Sequence, residues 1–222
     1  TIWEGASEAS DEHPYLQAKQ VKSHGLKVSG DGRLIIPVFD NSGEIKSLQY
    51  IDADGNKRYQ VSGDIIGSMF VIHGKDDMHY LCEGYATGAT VHELAGCTTY
   101  ISFTAGQLPE VAQAISKPLT IIADNDDSGT GERYARRAAE ITGARVIVPP
   151  ESGMDANDYW QAGHDLAALL APIESDWLIP ADDFCGEPAP IRWLIKHHLQ
   201  RDALIMVHGP SGGGKTFAVL DM

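Results

Sequence analysis

Apolar positions fall into two regimes along the chain. Between Arg33 and Val61 they come as short runs, Leu34–Phe39, Glu44–Ile51 and Lys57–Val61, separated by Asn41-Ser42-Gly43 and by Asp52-Ala53-Asp54-Gly55-Asn56. Runs of that length bounded by Gly, Asn and Asp clusters predict strands joined by tight turns, and hence a small antiparallel meander. Pro37 has no N–H to give a ladder, so the first strand is expected at an edge or bulged there. Phe70–Ile72 offers one more strand before His73-Gly74.

From Met78 onward, strand-length apolar blocks alternate with helix-competent segments. Met78–Cys82, Thr98–Phe103, Leu119–Ala123 and Arg145–Val148 read as buried strands. Between them lie Thr87–Leu94, with Gly96 as a stop, Leu108–Ile115, with Pro109 in its first turn, and Gly129–Thr142. Arg133, Arg136, Arg137 and Glu140 of the last helix fall mostly on a solvated face. This alternation predicts an α/β fold with a mostly parallel sheet flanked by helices.

The flanks carry weaker patterns. Residues 1–15 are acidic and aperiodic and read as a flexible lead-in; Leu16–Lys22 is a short helix stopped by Gly25. Pro172, Pro180, Pro188 and Pro190 mark a linker over 172–190. Ile191–Gln200 reads as a helix and Ala203–Val207 as a buried strand. The resulting division is a lead-in at 1–15, a small subdomain at 16–75, the main α/β domain at 76–171, the linker, and the truncated start of another domain at 191–222.

Composition narrows the function classes. A 43% hydrophobic, 22% charged chain of 222 residues supports one or two cored domains. The net charge of −14 makes the chain as a whole a poor non-specific binder of nucleic acid, because phosphate contacts come from Lys and Arg, but it leaves room for a local basic groove. There is no apolar stretch of membrane-spanning length and no basic-then-apolar leader, so a cytoplasmic protein with no membrane partner is expected. Cys82, Cys97 and Cys185 are odd in number and widely spaced, which predicts neither a disulfide framework nor a zinc site.

The candidate chemistry sits at strand exits. Leu119–Ala123 runs into Asp124-Asn125-Asp126. Two carboxylates at the edge where α/β sheets collect ligands repel each other unless a hard cation lies between them, so a magnesium site competes with a plain solvated acidic turn. Glu83 leaves the first parallel strand at the same predicted edge, as a ligand or as a helix cap. Asp155-Ala156-Asn157-Asp158 follows the fourth strand. Read alone it is an N-cap with a polar first turn; read with the other acids it adds one ligand, Asp155 in preference to Asp158. Near the C-terminus, Gly209, Gly212, Gly213, Gly214, Lys215 and Thr216 complete the G-x-x-x-x-G-K-[ST] pattern directly after a strand. Such a loop wraps phosphates with backbone N–H groups, while Lys215 and Thr216 serve the ATP phosphates and their magnesium. With no later catalytic carboxylate, ATP hydrolysis by these residues alone is not expected.

Glu83-Gly84 after one strand, Asp124-x-Asp126 after a later one, and the Asp155-Ala156-Asn157-Asp158 block together resemble the Toprim domain of bacterial-type primases, topoisomerases and some nucleases. The form LCEGYATGATVHELAG looks most like the Toprim primases of phages and plasmids, in which a hexameric-helicase ATPase follows. The resemblance implies a DNA primase core that joins nucleoside triphosphates into an RNA primer on a single-stranded DNA template. It implies two Mg²⁺ or Mn²⁺ ions about 3.5–4 Å apart, with Asp124 and Asp126 as main ligands and Asp155 or Asp158 assisting. Glu83 would bind metal or act as general base on the primer 3′-hydroxyl. Arg33, Lys57 and Arg58 would touch the template or the incoming triphosphate, or else merely decorate the meander. No Cys/His set for the family's zinc module is present. A Toprim nuclease using the same carboxylates, or a non-catalytic module that docks replication partners, are the competing expectations.

Overall fold

The computed structural model describes residues 1–60 and 65–171, together with the backbone of 193–195 and 199–200. The expected linker, the Ala203–Val207 strand and the Gly209–Thr216 loop lie outside the described residues. Residues Thr1–Pro172 form one compact unit.

The first sheet is assembled from short, locally specified pieces. Helix α1 (Ile2–Gly5) is held by a capping box between Thr1 and Glu4. Strand β1 (Ser7–Glu8) pairs antiparallel with β2 (Lys27–Val28), and Ala9 donates to the Leu26 carbonyl at 2.9 Å. The stretch read as a lead-in therefore closes an edge of the sheet; a strand of two residues is too short for alternation to register in sequence. Helix α2 (Pro14–Lys19) starts earlier than expected, with Pro14 in its first turn and the His13 ring accepting from Tyr15 N–H. It stops at Gln20, whose φ of 53° places it in the left-handed region, well before Gly25.

Strands β3 (Leu34–Phe39), β4 (Ile45–Ile51) and β5 (Lys57–Tyr59) continue the meander, giving the order β1-β2-β3-β4-β5. Pro37 lies past the point where β2 has ended, since β2 pairs only with Leu34 and Ile35, and a bulge follows between Val38 and Phe39. Both features meet the expectation for a proline in a sheet.

The second sheet carries β6 (Phe70–Ile72), β7 (Lys75–Cys82), β8 (Cys97–Ile101), β9 (Leu119–Ile122) and β10 (Arg145–Ile147), in the order β10-β9-β7-β8-β6. All neighbours are parallel except β6, which pairs antiparallel with β8. Phe70–Ile72, read next to the meander, thus belongs to the other sheet as its edge strand. A three-residue apolar run announces a strand and says nothing of its partner.

Helices α3 (Tyr85–Ala95), α4 (Leu108–Ala114), α5 (Thr130–Thr142), α6 (Ala156–Gln161) and α7 (Leu166–Leu170) cover this sheet on both faces. The pleat divides the core: Tyr80, Cys82 and Ile122 pack with α3, α6 and α7, while Leu81 and Ile121 pack with α4 and α5. Leu16, Leu34, Ile36, Val38 and Ile51 join the first of these cores, so the meander and the α/β sheet share one interior. Each fully buried Leu or Ile there contributes about 1.5–3 kcal/mol. That shared interior is what brings Lys57 of the meander to the edge of the second sheet.

Among the described residues, no helix is long and apolar enough to cross a membrane. In the unit beginning at Ile173, Trp193–Ile195 pairs antiparallel with Leu199–Gln200. The helix expected over Ile191–Gln200 is therefore corrected to a strand pair, in keeping with the strand preference of Trp193 and Ile195.

Candidate metal centre

Parallel register puts the candidate acids at one edge. Cys82 of β7 lies beside Ile122 of β9, and Ile147 of β10 beside the same Ile122. The next residues outward are Glu83 on one strand and Ala123-Asp124 on the other. Asn125 then laces the β10 exit to the β9 exit: its side-chain amide donates to the carbonyls of Pro149 (2.9 Å) and Glu151 (3.1 Å), and its N–H to Met154 (3.1 Å). Asp155 follows directly. Asn125, which the sequence presents only as a spacer between two acids, is the residue that delivers the third strand exit to the site.

The carboxylates are not equivalent. Asp124 is largely buried, and its Oδ1 has no hydrogen-bond partner. Burial, then the like charges of Asp155 and Glu83, push its pKa up to about 7, against relief from Lys57. Glu83 is also raised, chiefly by burial; Lys57 and the Ala105 N–H pull it back, while Asp126 and Asp155 push it up.

Asp126 is held down to about 2 by Ser128 and by the N–H groups at the start of α5. Ser128 Oγ donates to Oδ1 at 2.5 Å, Thr130 N–H to Oδ1 at 3.2 Å and Gly131 N–H to Oδ2 at 3.1 Å. Asp126 therefore satisfies two N–H groups in the first turn of α5 and acts electrostatically on Glu83 and Asp124, and each oxygen still has acceptor capacity left.

Asp155 caps α6, accepting from Asp158 N–H at 2.8 Å, and it acts electrostatically on both Asp124 and Glu83. Asp158 instead pairs with Lys19 of α2 at 2.7 Å. The structure thus brings Glu83, Asp124, Asp126 and Asp155 into one field and turns Asp158 toward the N-terminal helix.

Two glycines allow the close approaches. A Cβ on Gly131 would sit 2.7 Å from the Asp124 carbonyl oxygen, so only glycine lets α5 begin this near the β9 exit. A glycine inside a helix, at a cost of about 1 kcal/mol relative to alanine, was the available signal for that contact. On the other side, Lys57 Nζ lies 3.6 Å from where a Gly84 Cβ would stand, beside Glu83.

Arg33 and Arg58 are elsewhere. With Tyr50, Asp52 and Asn56 they line a pocket of about 220 Å³ on the meander. The Arg33 guanidinium is stacked over the Tyr50 ring at 4.6 Å and paired with Asp31 at 2.7 Å.

Among the described residues, no three His, Cys, Asp or Glu side chains are arranged to hold a metal ion as they stand. The donor set nonetheless suits one. It is all oxygen, as hard divalent cations require, and it contains a buried carboxylate oxygen with nothing to satisfy it.

Residues 78–165 match the Toprim domain family, and residues 171–222 match the AAA domain family. A DNA primase TraC of Escherichia coli is 33% identical over 155 residues, spanning 61% of this chain and 11% of that protein. A second TraC primase of the same organism is 33% identical over an equal length, 15% of its own. This chain therefore spans only a small part of these relatives. The primase fragment of the bacteriophage T7 primase-helicase superposes with a TM-score of 0.55 at 18% identity, over 75% of this chain and 79% of the fragment. The T7 primase domains solved with the lagging-strand polymerase, an RNA/DNA hybrid and dTTP give 0.53 at 19% identity, over 74% and 89%. At that identity the likeness is one of fold. Residues 78–165 are a Toprim domain, in a chain related to the TraC primases that shares the fold of the T7 primase and continues into an AAA domain.

Proposed function

We propose that the chain is the catalytic core of a DNA primase, extending an RNA primer on a single-stranded DNA template. The observation that carries this reading is the bare, buried Asp124 Oδ1 among acids, with Lys57 of the preceding subdomain reaching the same edge. Asp124 would be the principal ligand of a divalent cation, Mg²⁺ or Mn²⁺, with Asp126 and Asp155 closing onto it and Glu83 beside it as a further ligand or as the general base. Asp158 is left out of that set because Lys19 already holds it. When bound, the cation supplies charge stabilisation to the attacking and leaving oxygens of an in-line displacement.

The chain's own residues divide the remaining work. Glu83, with its pKa raised, is suited to take the proton from the primer 3′-hydroxyl as that oxygen attacks the α-phosphorus and pyrophosphate leaves. Lys57 offsets the negative charge gathered at the edge. The Arg33–Tyr50–Arg58 pocket holds two guanidinium groups, one of them stacked on Tyr50 and paired with Asp31, and they are the meander's candidates for contact with a nucleotide or template phosphate. Gly209–Thr216 would bind ATP phosphates in a complete AAA module, which would supply a fused helicase.

An annealed RNA primer removes the need for start-site recognition, so the test uses RNA-primed DNA, four nucleoside triphosphates and Mg²⁺ or Mn²⁺. Template-directed lengthening of the RNA is expected. Cleavage of the DNA with no incorporation would replace this reading with a Toprim nuclease.

A further inference from the structure

Near the acids, the backbone departs furthest from ordinary geometry at the exit of β8. Phe103 has a φ of 69°, a left-handed conformation that is costly for a bulky residue and persists only where its surroundings enforce it. Those surroundings are specific. Ser102 N–H donates to the Cys82 carbonyl at 2.9 Å, and its hydroxyl lies 3.2 Å from both the Cys82 and Thr104 carbonyl oxygens. The β8 exit is thereby tied to the residue immediately before Glu83.

From the meander, Tyr59 donates its hydroxyl to the Phe103 carbonyl at 3.3 Å and meets the Phe103 ring edge-on at a centroid distance of 6.4 Å. Gln49, itself buried, donates to the Tyr59 oxygen at 3.0 Å and orients that hydroxyl. Beyond Phe103, Thr104 opens the short 3₁₀ turn Ala105–Gln107, and the Ala105 N–H favours the charged Glu83 carboxylate.

We propose that Phe103 and Tyr59 are positioning residues for Glu83: the left-handed turn at Phe103, locked from the meander by Tyr59, aims the Ala105 N–H and the Ser102 clamp at the β7 exit. The proposal rests on the reading of Glu83 as the catalytic carboxylate. It gives the N-terminal meander a second route into the site besides Lys57, one that runs through the backbone. An extended or right-handed conformation at Phe103 would redirect the next N–H groups away from Glu83. A β-branched residue is barred from the left-handed region and glycine enters it freely, so Val and Gly at this position separate backbone from ring.

The test uses the 222-residue chain, with primer-extension kinetics and amide exchange at Ala105 read in parallel. Phe103→Val is expected to lower kcat about tenfold or more at nearly unchanged nucleotide KM, the signature of a misplaced catalytic group. Ala105 exchange should accelerate by about the same factor. Phe103→Gly, which also lacks the ring, should retain more kcat than Phe103→Val. Tyr59→Phe keeps the ring contact and loses only the hydroxyl; it should speed Ala105 exchange and lower kcat by about threefold. If Phe103→Val does not fold, the Tyr59→Phe result decides. Folded variants with wild-type kcat and wild-type Ala105 exchange would overturn the proposal. Undiminished extension by Glu83→Gln would overturn the catalytic reading beneath it, a separate result.

Discussion

Asp124→Asn is expected to raise the stability of the metal-free protein at pH 8 while removing its metal-dependent activity. The folded Asp124 carboxyl holds its proton up to about pH 7, whereas an unperturbed one releases it near 3.8. The stability contributed by the neutral form is therefore complete below about pH 4 and is lost as pH rises through about 7. The displacement is equivalent to at most about 4 kcal/mol between the two protonation states. Asparagine is neutral at every pH and can donate to the neighbouring carboxylates, so the variant keeps that stability at pH 8. At 2–4 °C for each kcal/mol, a rise in melting temperature of several degrees is expected at pH 8 in EDTA, shrinking toward zero near pH 4. Added Mg²⁺ should then raise the melting temperature of wild type and leave the variant unmoved. Primer extension should fall about a thousandfold or more, because an amide is a poor replacement for the principal anionic ligand. Wild-type stability and wild-type extension together would show that Asp124 is an ordinary acidic turn residue.

The second large effect is expected from Glu83→Gln. Glutamine matches the glutamate in shape, so the clamp around Cys82 and Ser102 should survive. What it cannot do is accept a proton. General-base catalysis is worth about 10²–10⁴-fold, so kcat should drop by at least about a hundredfold with nucleotide KM little changed. Because burial raises Glu83 above its ordinary value, its deprotonation should contribute to the acid limb of the wild-type pH–rate profile. The part of that limb due to Glu83 should be absent from whatever activity the variant retains, leaving the part set by Asp124. An unaltered pH profile would move the base elsewhere and leave Glu83 with at most a ligand's role.

The parts of this protein legible in its sequence are those encoded locally. Leu34–Phe39, Met78–Cys82 and Leu119–Ile122 stand out because a buried strand must be apolar on both faces. Gly96 and Pro109 mark helix ends for reasons of backbone conformation that no tertiary contact alters. Acids at successive strand exits announce a site because a parallel sheet delivers all its exits to one edge. Partnership was not legible. Phe70–Ile72 could have paired with the meander, and only its pairing with Thr99–Ile101 assigns it to the second sheet. The choice between Asp155 and Asp158 turns on Lys19, 139 residues before its partner. Asp126 carries a second duty beside its candidate role, since its oxygens accept from Thr130 and Gly131 at the start of α5. The left-handed Phe103 breaks the usual preference of its residue type, and no local pattern announces such a turn.

The central claim is that the acids at this sheet edge form a divalent-cation site organised around Asp124. Anomalous scattering from crystals soaked in Mn²⁺ tests it most directly. The expected result is a manganese peak about 2.1 Å from Asp124 Oδ1, with at least one oxygen of Glu83, Asp126 or Asp155 also bound and Asp158 still paired with Lys19. Manganese bound elsewhere on the chain, with Asp124 Oδ1 still bare at saturating metal, would contradict it.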